Sequence, residues 1–419
     1  MTHPGPDGAD ASTVWLWHAF YVVGVGARIA AYRRRRGLSQ VTLAGLVGRS
    51  ESWLSQVERG LRDVDSLHVI NDLAAALKVS PTMLIGFELA TQSADPGHLA
   101  TDPVRRFLDG YGQLLTAPQV PTFSAAELLA QAEALNEDYQ AARYDQALST
   151  SPALLAAADA LLHTNADASA IHAYVVAYVV TAKILHKVGE SRLAGLAADR
   201  AATAASRPDA SAVDRGLAAR EVVSALLSLG QPLAAETLAV DMVARLEADA
   251  ENDSDEVVSL RGSLLLLAAV VAARRTERYD ALDRLAQAER LSTRLGHDGN
   301  HCWTAFGPTN VAIHAVSIAA ELGDAGEAVR LSRQVDAARL PAGLTSRRAQ
   351  LHLDLAWAYT QQRRDSDAIL QLLEAEQIAP QLIQFRPRVR EAVSDLVGRG
   401  RGASGVLHDL ATRAGVLTA

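Results

Sequence analysis

From Ser124 onward the chain repeats one pattern: long apolar-periodic segments, broken by short turns and arriving in pairs. The pairs are 124–140 with 145–162, 168–187 with 190–205, 211–229 with 233–248, 255–274 with 279–295, 309–322 with 325–338, and 346–361 with 366–379. Apolar residues recur at steps of three and four, the period of a helix that buries one face. The turns inside the pairs are predicted at Tyr144, Gly189, Gly230, Tyr279, Gly323 and Arg364, so the register advances by 45, 41, 49, 44 and 41 residues. Arg143-Tyr144-Asp145 returns as Arg278-Tyr279-Asp280, each time opening a second helix. A period in the forties with two helices per unit predicts an α-solenoid, in which each pair finds its core only against its neighbours, with a helical bundle of other topology as the alternative. A helix near 387–397 closes the series, and 398–419 is left as a C-terminal tail.

Alanine and leucine dominate, and β-branched residues rarely alternate with polar ones, which favours an all-α protein. The single cysteine, Cys302, excludes an internal disulfide and suits a reducing compartment. Residues 14–23, VWLWHAFYVV, are an apolar run half the length of a membrane span, with no basic segment before them. Residues 1–23 are read as a disordered or docking extension, and the chain as cytoplasmic, without a membrane partner.

Residues 38–60, LSQVTLAGLVGRSESWLSQVERG, carry a second pattern. Ser39 caps a short helix with Leu43, Ala44 and Val47 on one face. Gly48 can turn the chain sharply because it alone reaches positive φ without a steric cost. Ser50 caps a second helix whose inward positions are Leu54 and Val57, and Gly60 ends it. Two short helices joined through a glycine form a helix-turn-helix.

Together with Gly26, Arg28, Ile29, Arg33, Gly37, Gln40, Ser55, Glu58 and Arg59, these residues resemble the bacterial phage-repressor-like (XRE) helix-turn-helix family over residues 24–86. Ser80-Pro81 would open the last helix of a five-helix domain. The repeats from 124 to 397 resemble tetratricopeptide (TPR) units, with helices longer than the 34-residue consensus and its Trp-x-x-Leu-Gly signature poorly kept. An XRE head on a TPR-like body resembles a group of bacterial regulators in which the solenoid dimerises and senses a peptide or another small signal.

The family resemblance places the base-reading side chains on the second helix. Glu51, Ser52 and Gln56 project from the side opposite Leu54 and Val57; glutamine suits adenine and glutamate suits the cytosine amino group. Ser50, Ser55 and Trp53 flank them, Trp53 packing either on sugar-phosphate or beside the first helix. Gln40 resembles a phosphate contact at a helix N-terminus. Arg34, Arg35, Arg36, Arg49 and Arg62 are candidate phosphate ligands, with a solvated charged face as the alternative. Arg33 and Glu58 match a structural ion pair of the family. Charge supports this division: residues 24–86 hold nine basic and five acidic residues, a balance of +4, which leaves −12 for the rest of a chain whose net charge is −8. A head of +4 is modest for a single copy, so a homodimer on an inverted-repeat operator is expected.

Residues 87–123 read as a Pro/Gly linker with a possible short helix at 104–108. In the body, Asn310, His314, Ser317 and Glu321 recur along one helix as a polar stripe, with Trp303 and Phe306 as apolar neighbours. First helices of TPR pairs line the concave groove, so Trp303, Phe306, Asn310, His314 and Ser317 are candidate ligand contacts for a peptide, small molecule or protein; an ordinary solvent face is the alternative. Asn136, Tyr174 and Tyr178 are weaker candidates. His297, Asp298, His301 and Cys302 invite a zinc reading, but no second cluster follows, so no metal is assigned and no cofactor is expected. Gly400 to Gly405 spell a literal G-x-G-x-x-G, yet no strand precedes it, so it is read as a loop. No catalytic constellation is present, and an enzyme is not expected. The two functional expectations are a signal-sensing transcriptional regulator and a protein-interaction adaptor tethered to DNA by its head.

Overall fold

The computed structural model describes residues 25–62, 64, 67–79, 84, 101–110, 123–249, 254–385, 387–399 and 405–416. Those residues contain helices, turns and no strand. The chain is all-α, as its composition predicts. It divides into two compact units, Met1–Arg33 with Ser39–Leu89, and Arg34–Leu38 with Ala90–Ala419. The apolar run at 14–23, the Ser80-Pro81 opening and the G-x-G-x-x-G stretch before Gly405 lie outside the described residues.

The N-terminal helices are α1 (Val25–Arg35), α2 (Gln40–Leu46), α3 (Glu51–Glu58) and α4 (Leu67–Leu77). Both predicted caps are made: Ser39 accepts from the Thr42 N–H, and Ser50 from the Trp53 N–H. Gly48 takes φ +64°, and the Arg49 N–H reaches back to the Ala44 carbonyl, which closes α2. Ile29, Leu43, Ala44, Leu54, Val57, Leu73 and Leu77 form the core. Gly26 is what lets α1 lie against α3, since a Cβ there would sit 1.8 Å from the Val57 carbonyl oxygen. Of the expected fifth helix only Leu84 is described; it is buried, and its carbonyl accepts from Arg28 Nε.

The second unit begins with α5 (Asp102–Asp109) and continues as pairs: α6 (Ala125–Gln140) with α7 (Tyr144–Thr164), α8 (Ala168–Lys187) with α9 (Ser191–Ala205), α10 (Ala212–Ser228) with α11 (Pro232–Ala248), and α12 (Asp255–Arg274) with α13 (Arg278–Leu295). Two more pairs follow, α14 (Pro308–Glu321) with α15 (Ala325–Ser332), and α16 (Thr345–Gln361) with α17 (Asp365–Ile378), then α18 (Pro380–Phe385), α19 (Pro387–Arg399) and α20 (Gly405–Arg413). Each pair turns through one left-handed residue: Ala142, Gly189, Gly230, Thr276, Gly323 and Arg363. In every case the next N–H bonds the carbonyl five residues back, at 2.8 to 3.0 Å. That is the same C-terminal cap used six times.

The sequence reading places three of these turns correctly, those with glycine. The others lie one to three residues earlier than expected, because Ala142, Thr276 and Arg363 carry no compositional mark of a left-handed backbone. The two tyrosines of the repeated Arg-Tyr-Asp triplet also differ, Tyr144 being fully buried and Tyr279 81% exposed.

The first helices pack on one another in the order α6, α8, α10, α12, α14, α16, and α16 returns to touch α6. They form a closed inner ring, with the second helices outside. Two side-chain bridges also join distant parts of the ring. Gln140 and Asn300 exchange amide hydrogen bonds of 3.1 and 2.9 Å, and Gln381 accepts from the Tyr144 N–H at 2.8 Å. Inner position explains why α8 and α12 are apolar nearly all round. By length and hydropathy each could cross a membrane, yet 83% of each window is buried inside the protein.

The short helix expected at 104–108 in the linker is present as α5, whose Val104 and Leu108 join the body's core. Two segments depart from expectation. The helix expected over 325–338 stops at Ser332, and a short 3-10 turn follows at Ala337–Arg339. The 398–419 tail contains α20, which packs on α19 through Leu407, Leu410 and Ala411. α20 is an amphipathic segment too short to announce itself by periodicity.

Candidate functional site

On the N-terminal unit, α3 buries Leu54 and Val57 and turns its other face outward. Glu51 and Ser52 are exposed, while Ser55 and Gln56 are half-buried one turn further on. Ser50 is exposed but spends its hydroxyl on the cap. Trp53 is half-buried with the Arg49 guanidinium 5.5 Å over its ring, so the indole orients Arg49 at the mouth of the turn. Arg34 and Arg62 are exposed, and Arg35 and Arg36 half-buried.

Arg33 and Glu58 form the bidentate pair expected of them, at 2.6 and 2.8 Å, with side chains only 12% and 6% exposed. Gln40 joins the pair, donating from Nε2 to Glu58 at 2.8 Å. This bond engages one of two amide protons, so the second and the open N–H groups of α2 stay available for an anion. Glu58 therefore holds α1, α2 and α3 in register. The outward face of α3 and the N-terminal end of α2 are thereby fixed relative to each other.

In the body, the first helices bury several polar side chains. Lys183 on α8 is 3% exposed, and its ammonium has no hydrogen-bond partner. Its Nζ lies 5.6 Å over the Trp303 ring. Burial first, and then the Arg220 guanidinium, lowers its pKa to about 8. Arg220 pairs with buried Glu221 on α10 at 2.6 Å. Two cations thus face one carboxylate in a site withdrawn from water. Asn136 on α6 and Asn310 on α14 are each 1% exposed, with their side-chain oxygens unpartnered. On α14, burial and then Arg347 push the His314 imidazole down to about 3, so it is neutral at physiological pH, with Nδ1 2.9 Å from the Asn310 carbonyl.

The predicted ligand set is partly redistributed. Trp303 lies beneath the Lys183 ammonium, and His314 stands one turn from the buried Asn310. Phe306 is fully buried, its ring resting on Gly262, where a Cβ would lie 2.0 Å from Cζ; it is a packing residue and not a ligand contact. Ser317 hydrogen-bonds Asp354 and lines a separate small cavity with Glu321, Gln350 and Trp357. Tyr174 and Tyr178 stack at 4.5 Å, and the Tyr178 hydroxyl donates to Asp159 on the outer helix α7, so this pair ties two helices together. Lys183, Arg220 and Glu221 were missed by sequence reasoning. A lone lysine near the end of an apolar helix reads as a surface charge, and only the neighbouring helix α10 and the Trp303 loop put it inside.

Residues 25–84 match the family model of a helix-turn-helix domain. No curated protein matches the chain. A solved structure, Bacillus thuringiensis PlcR in complex with the peptide PapR7 and DNA, aligns over 85% of this chain and 99% of its own, at 13% identity and a TM-score of 0.31. A superposition at that level transfers neither fold nor ligand. The geometry of the caps, the α3 face and the matched span define the class: an all-α protein with a helix-turn-helix DNA-binding head and a helical-repeat body.

Proposed function

We propose that the protein is a dimeric, sequence-specific transcriptional regulator, and that its inner ring senses a small ligand carrying a carboxylate or phosphate. The DNA half rests on α3, held by the Arg33–Glu58–Gln40 cluster with Glu51, Ser52 and Gln56 outward. In a dimer two such helices would stand about 34 Å apart on an inverted repeat. The sensing half rests on Lys183. A buried ammonium that shares one carboxylate with a second cation is costly, and a further anion beside it would offset that cost. A closed ring with a polar, aromatic-capped centre suits a peptide end or a metabolite better than the long open groove of a protein adaptor. No catalytic role is assigned, and a DNA-binding function with a single thiol fits the cytoplasm.

Genome-wide mapping of bound DNA is expected to yield a palindromic motif, and the Glu51→Ala/Gln56→Ala double variant to lose it. Arg49→Ala should weaken binding to all sequences and reduce its salt dependence. If the double variant shifts promoter DNA as well as the parent, the assignment of α3 is wrong. A panel of anionic peptides and metabolites should contain ligands that raise the melting temperature of the parent and not of Lys183→Met. A panel that stabilises both equally would place the sensing site elsewhere.

A further inference from the structure

The loop between α13 and α14 carries two histidines that no part of the DNA-binding or sensing reading uses. His297 and His301 lie with their rings 5.9 Å apart and nearly perpendicular. Both Nε2 atoms converge beneath Gly299: a Cβ there would stand 3.3 Å from His301 Nε2 and 3.5 Å from His297 Nε2. Asp255, in the first turn of α12, comes to the same point, its carboxylate 3.7 Å from His301 Nε2. One ligand atom from each of the three residues falls within 4.8 Å of the others.

The geometry points to a divalent transition-metal site, of the kind zinc occupies, formed by Asp255, His297 and His301. Two imidazoles and a carboxylate make a three-ligand set that leaves one position open to water. Each histidine also has a group behind its other nitrogen. His297 Nδ1 lies 2.8 Å from the Leu295 carbonyl, which holds the tautomer whose Nε2 lone pair faces the site. His301 Nδ1 lies 3.9 Å from the Glu256 carboxylate. Such backing groups orient a ligating imidazole and raise its basicity.

The loop is pinned on both sides of Gly299. Asp298 accepts from the Thr309 N–H and hydroxyl, and Asn300 is locked to Gln140. The anchors fix the backbone between the two histidines. Tetrahedral coordination with bonds near 2.1 Å brings ligand atoms to roughly 3.4 Å from one another, so small rotations of exposed side chains complete the site. The set differs from the one the sequence suggests. Asp298 is committed to capping α14, and Cys302 packs against the body's core, outside the cluster. Asp255, more than forty residues upstream, replaces them. A bound metal would tie the loop that presents Trp303 to the inner helix α12.

The test uses the full-length, untagged chain, with Zn²⁺ and Co²⁺ as probes. Calorimetry should show one Zn²⁺ per chain bound at micromolar affinity or tighter, and Co²⁺ should give the visible absorption of a low-coordinate nitrogen–oxygen site. His297→Ala, His301→Ala and Asp255→Asn should each abolish that binding, Glu256→Gln should weaken it about tenfold, and Cys302→Ser should leave it unchanged. Circular dichroism should show all five variants folded, because the ligands are exposed or half-buried. Millimolar binding by the parent, or parent-like binding by both histidine variants, would overturn the site. Loss of binding in Cys302→Ser with a thiolate charge-transfer band would replace it with a cysteine-based one. None of these readouts depends on DNA or on the ligand of the ring.

Discussion

Lys183 sits on α8 almost wholly withdrawn from water, with no hydrogen-bond partner for its ammonium. Its pKa of about 8 stands below the ordinary 10.5, so the folded protein pays for a buried ammonium at neutral pH. The shift corresponds to about 3 kcal/mol. Lys183→Met should therefore be more stable than the parent near pH 7, by up to about that amount. Between pH 8 and 10.5 the unfolded chain binds the extra proton, so the parent gains stability as pH rises and the gap closes. Urea titrations of both proteins across that range check the sign; a variant less stable at pH 7 would show that the lysine holds the fold together. At Gly26 the outcome runs the other way. A methyl group would meet the Val57 carbonyl oxygen and carbon at 1.8 and 2.7 Å, backbone atoms that cannot step aside. Gly26→Ala should cost about 3 kcal/mol and separate α1 from α3. Hydrogen exchange should then rise within residues 25–79 and stay unchanged in α6 to α17.

The elements were legible where a chain feature acts locally. Ser39, Ser50 and Gly48 specify the helix-turn-helix because caps and left-handed turns are decided within a few residues. The same logic holds for Gly189, Gly230 and Gly323. It fails at Ala142, Thr276 and Arg363, where packing of the pairs imposes a left-handed backbone with φ of 58° to 67° on residues that gain nothing from it. Such a conformation costs about 1 kcal/mol per residue. Thr276→Gly and Arg363→Gly should each stabilise the body by about 0.5 to 1 kcal/mol after allowing for the greater freedom of glycine when unfolded. Thermal melts of the single and double variants measure this, with additivity expected between turns so far apart. The outward residues of α3, Glu51, Ser52 and Gln56, were legible as candidates by family pattern. His297 and His301 were legible as a local pair, but Lys183, Arg220 and Asp255 were not, because each depends on which distant helices become neighbours.

At the scale of the molecule, the solenoid was predictable from the forty-residue recurrence, but its closure was not. Nothing in the period says whether six pairs stop short of a turn or complete one; the curvature is a sum of small packing rotations. Closure has a thermodynamic consequence of its own. An open array of repeats frays from its ends, because each unit answers only to its neighbours. Here the last pairs are tied to the first, through α16 on α6 and through Gln381, which accepts from Tyr144 and donates to Asp145 across 237 and 236 residues of chain. The body should therefore melt as one cooperative unit despite its modular make-up. Gln381→Ala should broaden that transition, and hydrogen exchange should then show α16 to α19 opening ahead of α8 to α12. A ring has no end from which to unravel, and a fluctuation in one repeat is felt by all of them.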